Sequence, residues 1–155
     1  MRLALAAAFA AFAADQALKL YVLTVLDLDR LFSRDVLPPY VNFRMGWNRG
    51  INFGLFDSES EALRWILIGV SILLAFAALY WCARRRRVER IFTGLLAGGA
   101  LGNALDRLLH GAVVDFLNVT CCGVENPFVF NLADAAIVGG AFGLVAYCTL
   151  RPDKG

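Results

Sequence analysis

Two aspartates in the last third of the chain are the side chains best suited to chemistry. Asp115 and Asp134 each lie beside an apolar segment. A carboxylate at or in a bilayer is costly unless it is paired, hydrated or used, so such a residue is a candidate for a functional site. Two carboxylates that meet at one membrane face can share a proton and activate water, which is the chemistry of an aspartyl protease.

Each aspartate also has a structural interpretation. Asp134 follows Asn131 at the start of the last apolar segment, where the two residues could cap a helix. Asp115 lies in the apolar stretch 113–117, which is an unusual place for a solvent-exposed turn residue. Together the two aspartates favour a functional site, because burial and like charge raise one pKa of such a pair.

The composition indicates a membrane protein. The chain has 155 residues, of which 59% are hydrophobic, and a mean hydropathy of +0.62, which is too apolar for a soluble domain of this size. A spanning helix needs about 20 apolar residues. Four segments meet this requirement: 3–26, 62–82, 91–109 and 132–150. We therefore expect an all-α membrane protein that forms a single integral membrane domain over 1–155, with an extracytoplasmic insert at 27–61.

Arginines between the second and third segments predict the orientation of the chain. They are Arg84, Arg85, Arg86, Arg87 and Arg90. Dense basic residues in a short loop mark the cytoplasmic side, and an even number of spans then places both termini there. A nucleic-acid-binding patch is the other interpretation of an arginine run. Two flanking apolar segments favour the topological one, so we expect membrane lipids as partners and no nucleic acid.

The cysteines and the single histidine do not form a metal-binding pattern. His110 is the one histidine, and no Cys-x-x-Cys pair occurs, so a zinc site lacks ligands. We expect neither a metal nor another cofactor. Cys82 and Cys148 lie near the predicted cytoplasmic ends of spans, where thiols stay reduced. The adjacent Cys121 and Cys122 could form a strained bridge or remain free.

Three polar residues share the outer half of the third segment: Asn103, Asp106 and Arg107. Asn103 and Arg107 are one helical turn apart, so they lie near the same face. One interpretation is a structural network between helices, with an ion pair and an amide contact. The other is a supporting layer that orients the two aspartates.

Polar residues near the start of the chain are open to similar alternatives. Asp15 and Lys19 lie four residues apart in the first segment, which predicts a pair within the helix or contacts with neighbouring helices or lipid headgroups. Asn48 and Gly50 are either turn residues or hydrogen-bonding partners for an extended substrate.

Glycines predict close packing of the last two segments. Gly94, Gly98 and Gly102 recur every four residues in the third segment, and Gly139 and Gly143 have the same spacing in the fourth. Small residues at this spacing allow helix backbones to approach closely in lipid.

Three stretches closely resemble the lipoprotein signal peptidases (signal peptidase II): GGALGNALDR at 98–107, GAVVDF at 111–116 and FNLAD at 130–134. Two earlier motifs of that family are matched by Asp15-Gln16 with Lys19 and by Asn48-Arg49-Gly50 with Phe53. The likeness covers essentially the whole chain, in order and at fitting spacings.

The resemblance implies a four-helix aspartyl endopeptidase of the bacterial inner membrane. Such enzymes cut the signal peptide from a prolipoprotein just before its diacylglyceryl-modified cysteine. By matching motif, Asp115 and Asp134 form the catalytic pair, with the active site toward the periplasmic face. The family also carries a small β-cradle and an amphipathic segment over the active site, which suits the insert 27–61. The supporting residues implied by the motifs are Asp15, Lys19, Asn48, Gly50, Asn103, Asp106, Arg107 and Asn131.

In this mechanism one aspartate is ionised and activates water, while the other is protonated and donates to the scissile carbonyl. The sequence leaves the assignment of these roles open, and we expect the protein to act as a monomer. Two other classes stay open. A non-catalytic assembly subunit would tolerate loss of both aspartates. A small multipass transporter or proton-conducting protein would also carry intramembrane Asp, Arg and Asn. Such a protein needs ionisable groups across the membrane depth, whereas those of this chain gather mostly toward the outer face.

Overall fold

The computed structural model of the chain describes residues 1–50, 60–120 and 126–151. Phe53, Cys121 and Cys122 lie outside these ranges, so the expectations about them stay predictions. The helices and strands in chain order are α1 (Arg2–Thr24), α2 (Leu28–Leu31), β1 (Ser33–Leu37), β2 (Val41–Asn48), α3 (Glu61–Trp81), a 3-10 turn (Cys82–Arg84), α4 (Arg87–His110), β3 (Val113–Val119) and α5 (Leu132–Leu150).

The four long helices coincide closely with the four predicted segments. Helix α1 ends earlier than the first predicted segment, because the chain turns at Asp27. This residue has a left-handed backbone (φ 49°) and precedes α2. Helix α4, which corresponds to the third predicted segment, begins earlier, at Arg87. Glu89 accepts a hydrogen bond from the backbone N–H of Arg86 (2.8 Å) and so caps the helix. Apolarity alone does not reveal such capping contacts.

Among the described residues, three helices are long and apolar enough to cross a membrane: α1, α3 with its 3-10 turn, and α5. The predicted span 91–109 lies in α4, which is not among them. Helix α4 carries charged residues within its length, including Asp106 and Arg107, and both are buried against other parts of the protein. Helices α1, α3 and α5 instead expose large apolar side chains, such as Phe9, Tyr80 and Phe142.

Helix α4 packs against α1, α3 and α5 and lies at the centre of the helical bundle. A Cβ atom at Gly98 would collide with the backbone carbonyl of Ala8 in α1, and one at Gly99 would collide with the carbonyl of Ala133 in α5. The predicted close packing of α4 is therefore confirmed. In α5 the prediction is wrong for Gly139, which has open space around it, because the neighbouring Gly140 is the residue that meets the backbone of α4.

A small antiparallel sheet covers one end of the bundle, with the strands in the order β1-β2-β3. The first two strands come from the insert, in agreement with the expected cradle. The third strand was not predicted, since it comes from the connection between α4 and α5. It carries Asp115, which pairs in register with Gly46 of β2.

An apolar cluster fixes the sheet against the bundle. It consists of Val22 of α1, Leu28 of α2, and Val114 and Phe116 of β3, all fully buried. Val114 and Phe116 flank Asp115 and point to the opposite face of the strand. Packing of these two side chains therefore directs the Asp115 carboxyl group away from the apolar cluster.

Candidate active site

Asp115 is held by two side-chain amides. Its Oδ2 accepts a hydrogen bond from Asn48 Nδ2 at 3.0 Å, and its Oδ1 accepts one from Asn131 Nδ2 at 2.6 Å. The side chain is only 3% exposed. Asn48 ends β2 and Asn131 precedes α5, so the carboxyl group joins the sheet to a helix.

Asp134 lies in the first turn of α5 and completes a capping box. Its backbone N–H donates to Asn131 Oδ1 at 2.8 Å, and its own Oδ2 accepts a bond from the backbone N–H of Asn131 at 3.4 Å. The helix-capping interpretation is therefore confirmed. Its other oxygen, Oδ1, accepts a hydrogen bond from Asn103 Nδ2 of α4 at 2.8 Å. Capping thus engages one carboxylate oxygen, while the other faces α4.

The backbone explains why Asp115 and the start of α5 lie together. Leu117 and Phe130 form an antiparallel bridge, with Leu117 N to Phe130 O at 2.7 Å and Phe130 N to Leu117 O at 3.0 Å. This bridge places Asn131 beside β3. Its side-chain amide then donates both to Asp115 and to Asn103 Oδ1 (3.2 Å), so one asparagine links the surroundings of the two aspartates.

The surroundings of Asp115 favour its neutral form. Burial, followed by the negative charge of Asp134, raises its pKa from an ordinary value of 3.8 to about 7. The hydrogen bonds from Asn48 and Asn131 oppose this rise because they stabilise the carboxylate. The pair can therefore retain a proton near neutral pH.

A buried charged cluster lies behind the pair. Lys19 Nζ is 2.8 Å from Asp15 Oδ2 and 2.7 Å from Asp106 Oδ2, and all three side chains are almost completely buried. The predicted pair within α1 is thus confirmed and is extended to α4. Lys19 also donates to Asn103 Oδ1 at 3.2 Å, so the cluster contacts a residue that binds Asp134.

The two acids of this cluster hold the backbone next to each aspartate of the pair. Asp106 Oδ2 accepts a hydrogen bond from the N–H of Val114 (3.0 Å), the residue before Asp115. Asp15 Oδ1 accepts one from the N–H of Ala133 (2.8 Å), the residue before Asp134. The cluster therefore positions β3 and α5 through main-chain contacts.

Arg107 does not use Asp106 as its ion-pair partner, since Asp106 is bound by Lys19. Its Nη2 donates to the carbonyl of Gly50 at 2.7 Å, and its Nη1 lies 3.4 Å from the carbonyl of Asn103. The N–H of Gly50 in turn donates to Asn48 Oδ1 at 3.1 Å. Arg107 therefore fixes the chain just after β2. Asn48, the last residue of that strand, reaches Asp115 from there.

Gln16 contacts the charged cluster, although it is not among the residues predicted for the site. Its Nε2 donates to Asp106 Oδ1 at 2.9 Å and contacts Asp15 Oδ2 at 3.2 Å. Its position next to Asp15, one turn before Lys19 in an apolar segment, was the available signal. The residues that were predicted for the site all meet in this one region.

The arrangement can carry out acid–base chemistry on a polar bond. Side-chain amides surround the two buried carboxyl groups, and the environment of Asp115 favours its protonated form. In the described ranges, no group of three or more His, Cys, Asp or Glu side chains is arranged to hold a metal ion.

Comparison with known proteins finds a family model that matches most of the chain. The sequence model of signal peptidase (SPase) II matches residues 7–150. The chain is similar to the lipoprotein signal peptidase of Methylobacterium sp. (strain 4-46), with 44% identity over 92% of this chain and 86% of the relative. It is also similar to that of Nitrobacter hamburgensis (strain DSM 10229 / NCIMB 13809 / X14), with 39% identity over 97% of this chain and 94% of the relative.

The fold has a close counterpart among solved structures. A bacterial membrane enzyme determined by the in meso method at 2.3 Å resolution superposes with a TM-score of 0.82 and 25% sequence identity. The match covers 100% of this chain and 93% of that one. With a family match over nearly the whole sequence and relatives of this identity, the chain belongs to the signal peptidase II family.

Proposed function

We propose that the protein is a membrane aspartyl endopeptidase that removes signal peptides from prolipoproteins, with Asp115 and Asp134 as its catalytic pair. Membership of the signal peptidase II family supports the substrate class. The catalytic type is supported by one observation above all. Two buried carboxyl groups from different elements are linked through Asn131, which binds Asp115 and caps the helix of Asp134.

In the proposed reaction, one carboxylate takes a proton from a water molecule as that water attacks the scissile carbonyl carbon. The protonated partner donates to the carbonyl oxygen, and a proton returned to the amine allows the carbon–nitrogen bond to break. The raised pKa of Asp115 supports a pair that keeps one proton at neutral pH.

The surrounding amides have separate tasks in this proposal. Asn48, Asn103 and Asn131 orient the two carboxyl groups, since each donates a hydrogen bond to one of them. Arg107 holds Gly50 at the end of β2, and this segment is the part of the site proposed to receive the extended substrate backbone. The cluster of Asp15, Lys19 and Asp106 keeps β3 and α5 in place.

We further propose that the chain is a single membrane domain with four spans, in which α4 is the third. Its 24 residues are long enough at about 1.5 Å each, and its contacts with α1, α3 and α5 shield its polar groups from lipid. The termini then lie in the cytoplasm and the aspartates lie toward the periplasmic face of the inner membrane, in accordance with the arginines at 84–90. The diacylglyceryl group of the substrate cysteine lies in the bilayer beside the helices, and one copy of the chain suffices.

Cleavage of a lipid-modified precursor peptide by the purified protein tests the proposal. The wild-type protein in detergent should cut a diacylglyceryl-modified peptide before the modified cysteine and should leave the unmodified peptide intact. Asp115→Asn and Asp134→Asn should each abolish cleavage while the protein still inserts and folds. Retention of cleavage by either variant refutes the assignment of the pair.

A matched control is available at Asp27, an exposed aspartate with a left-handed backbone that asparagine also tolerates. Asp27→Asn should cleave like the wild type. Addition of a chelator should not change the rate. Proton flux through vesicles in the absence of peptide cleavage would instead support the proton-conducting alternative.

A further inference from the structure

A polar pocket lies at the end of the bundle opposite the two aspartates. It occupies the junction between α3 and α4 and has a volume of about 470 Å³. Because α4 rises about 1.5 Å per residue over its 24 residues, the pocket is separated from Asp106 and Arg107 by most of the helix length. We call it the arginine pocket; its lining residues are Trp81, Arg84, Arg85, Arg86 and Glu89.

Two guanidinium groups at or beside this pocket are held by the protein. The guanidinium carbon of Arg85 lies 4.3 Å from the centre of the Trp81 ring, within cation–π distance. Arg90 donates from Nη2 to the carbonyl of Ala83 at 3.2 Å, which fixes the turn between the helices. A planar guanidinium group presents paired N–H donors that match two oxygens of a phosphate group.

The charge at the mouth of the pocket is strongly positive. Residues 84–90 include five arginines and a single acid, Glu89. Glu89 is only 4% exposed, its Oε2 accepts the backbone N–H of Arg86, and its Oε1 lies 3.7 Å from the thiol of Cys148. This carboxylate is thus engaged by Arg86 and Cys148, and the arginines of this stretch outnumber it five to one.

In the proposed four-span arrangement, the pocket opens at the level of the membrane surface. Trp81 is the last residue of α3, one of the helices able to span a bilayer, and it is 41% exposed. Tryptophan at the end of a span characteristically lies among lipid headgroups. Basic pockets between spanning helices are suited to anionic headgroups at that depth.

We propose that the arginine pocket binds the phosphate of an anionic phospholipid headgroup. A role in membrane orientation would need only the positive charge of the arginines. It does not account for a cavity of this size or for the stacking of Arg85 on Trp81. The proposal is independent of the catalytic assignment, because it concerns the other end of the bundle.

Quenching of tryptophan fluorescence by spin-labelled lipids in nanodiscs tests this site. The wild type should bind labelled phosphatidylglycerol severalfold more tightly than phosphatidylcholine with the same labelled chain. The part of the quenching that differs between the two lipids should be lost in Trp81→Phe. The variant Arg84→Gln/Arg85→Gln should lose most of this severalfold preference, because each arginine contributes to the attraction of an anionic headgroup. The exposed pair Arg30→Gln/Arg34→Gln at the other end should keep it.

A lysine variant separates recognition by arginine from charge alone. Arg84→Lys/Arg85→Lys keeps the charge, and therefore the signal for orientation, but removes the paired donors and the stacked guanidinium. Its preference should lie between those of the wild type and the glutamine variant. Equal quenching of the wild type by both lipids would overturn the proposal. So would a full preference for phosphatidylglycerol in the glutamine or the lysine variant of Arg84 and Arg85. Loss of the preference on addition of inorganic phosphate would show that the ligand is free phosphate and would overturn the assignment to a headgroup.

Discussion

The side-chain amide of Asn131 donates a hydrogen bond of 2.6 Å to Asp115 Oδ1, although Asn131 belongs to the cap of the helix that carries Asp134. One residue thus fixes the start of α5 and one carboxyl group of β3. The separation of the two aspartates consequently depends on the cap as well as on the sheet. Removal of the amide should affect chemistry and removal of the cap should affect stability, and the two effects can be measured apart.

Replacement of Asn131 by serine should separate these roles. Serine is a good N-cap residue, so Asn131→Ser should unfold at nearly the wild-type temperature. It cannot donate to Asp115 as the amide does, and we expect kcat to fall on the order of a hundredfold, as for loss of one oriented donor. Asn131→Ala should lose about 1 kcal/mol of stability in addition. Peptide cleavage and thermal unfolding in detergent measure the two effects, and a serine variant with wild-type kcat would contradict the link.

The raised pKa of Asp115 predicts how stability changes with pH. Between its ordinary value of 3.8 and the folded value of about 7, the folded protein binds more protons than the unfolded chain. The free energy of unfolding should therefore fall as the pH rises through this interval. Asp115→Asn lacks this titration, so the wild type should be more stable relative to the variant at pH 5 than at pH 8. Thermal unfolding at both pH values provides the measurement, and the opposite order would contradict the assigned burial.

Activity should have a related limit on its alkaline side. If the pair must hold one proton, kcat/KM for the lipid-modified peptide should decline as the pH rises above about 7, since burial and the charge of Asp134 set the pKa of Asp115 there. A rate that stays constant to pH 9 would show that the proton is not needed or is held more tightly than the structure indicates.

Lys19 should be important for stability because it is buried between two acids. In Lys19→Met, Asp15 and Asp106 would remain buried without their shared cation, and we expect a loss of about 3 to 5 kcal/mol. Conversion of both acids to asparagine in the same protein should recover much of that loss, because the amides carry no charge. Unfolding measured for the single and the triple variant tests this, and an unchanged midpoint in Lys19→Met would contradict the cluster.

The close packing of α4 on α1 can be tested with two glycines. Gly98→Ala places a methyl group against the carbonyl of Ala8 and should destabilise the bundle. Gly139→Ala is the matched control, since its surroundings are open. The control should be neutral or more stable by up to about 1 kcal/mol, because alanine is the better helix former. Equal effects of the two substitutions would contradict the described packing.

The sequence was a good guide to the helices, and the residues it suggested for the site lie together in the structure. Runs of apolar residues revealed the four long helices, because helix faces that contact lipid or pack against other helices must be mostly apolar. Their ends were less predictable. The start of α4 depends on a capping contact between Glu89 and Arg86, and hydropathy does not record such contacts.

The contacts between site residues were harder to predict. Sequence spacing indicated that Asp15 could pair with Lys19, since both lie on one helix. It could not indicate that Lys19 also binds Asp106, because that contact depends on how α1 packs against α4. The strand that carries Asp115 was missed for a similar reason. Its partner β2 lies far away in sequence, and a short apolar run between two helices does not by itself distinguish a strand from a loop.

The two acids are carried by different elements, Asp115 by strand β3 of the sheet and Asp134 by the first turn of helix α5. A change in the tilt of α5 relative to the sheet should therefore change the distance between the two carboxyl groups. Turnover should consequently respond to the thickness of the surrounding bilayer, even where the lipid never touches the reacting bond.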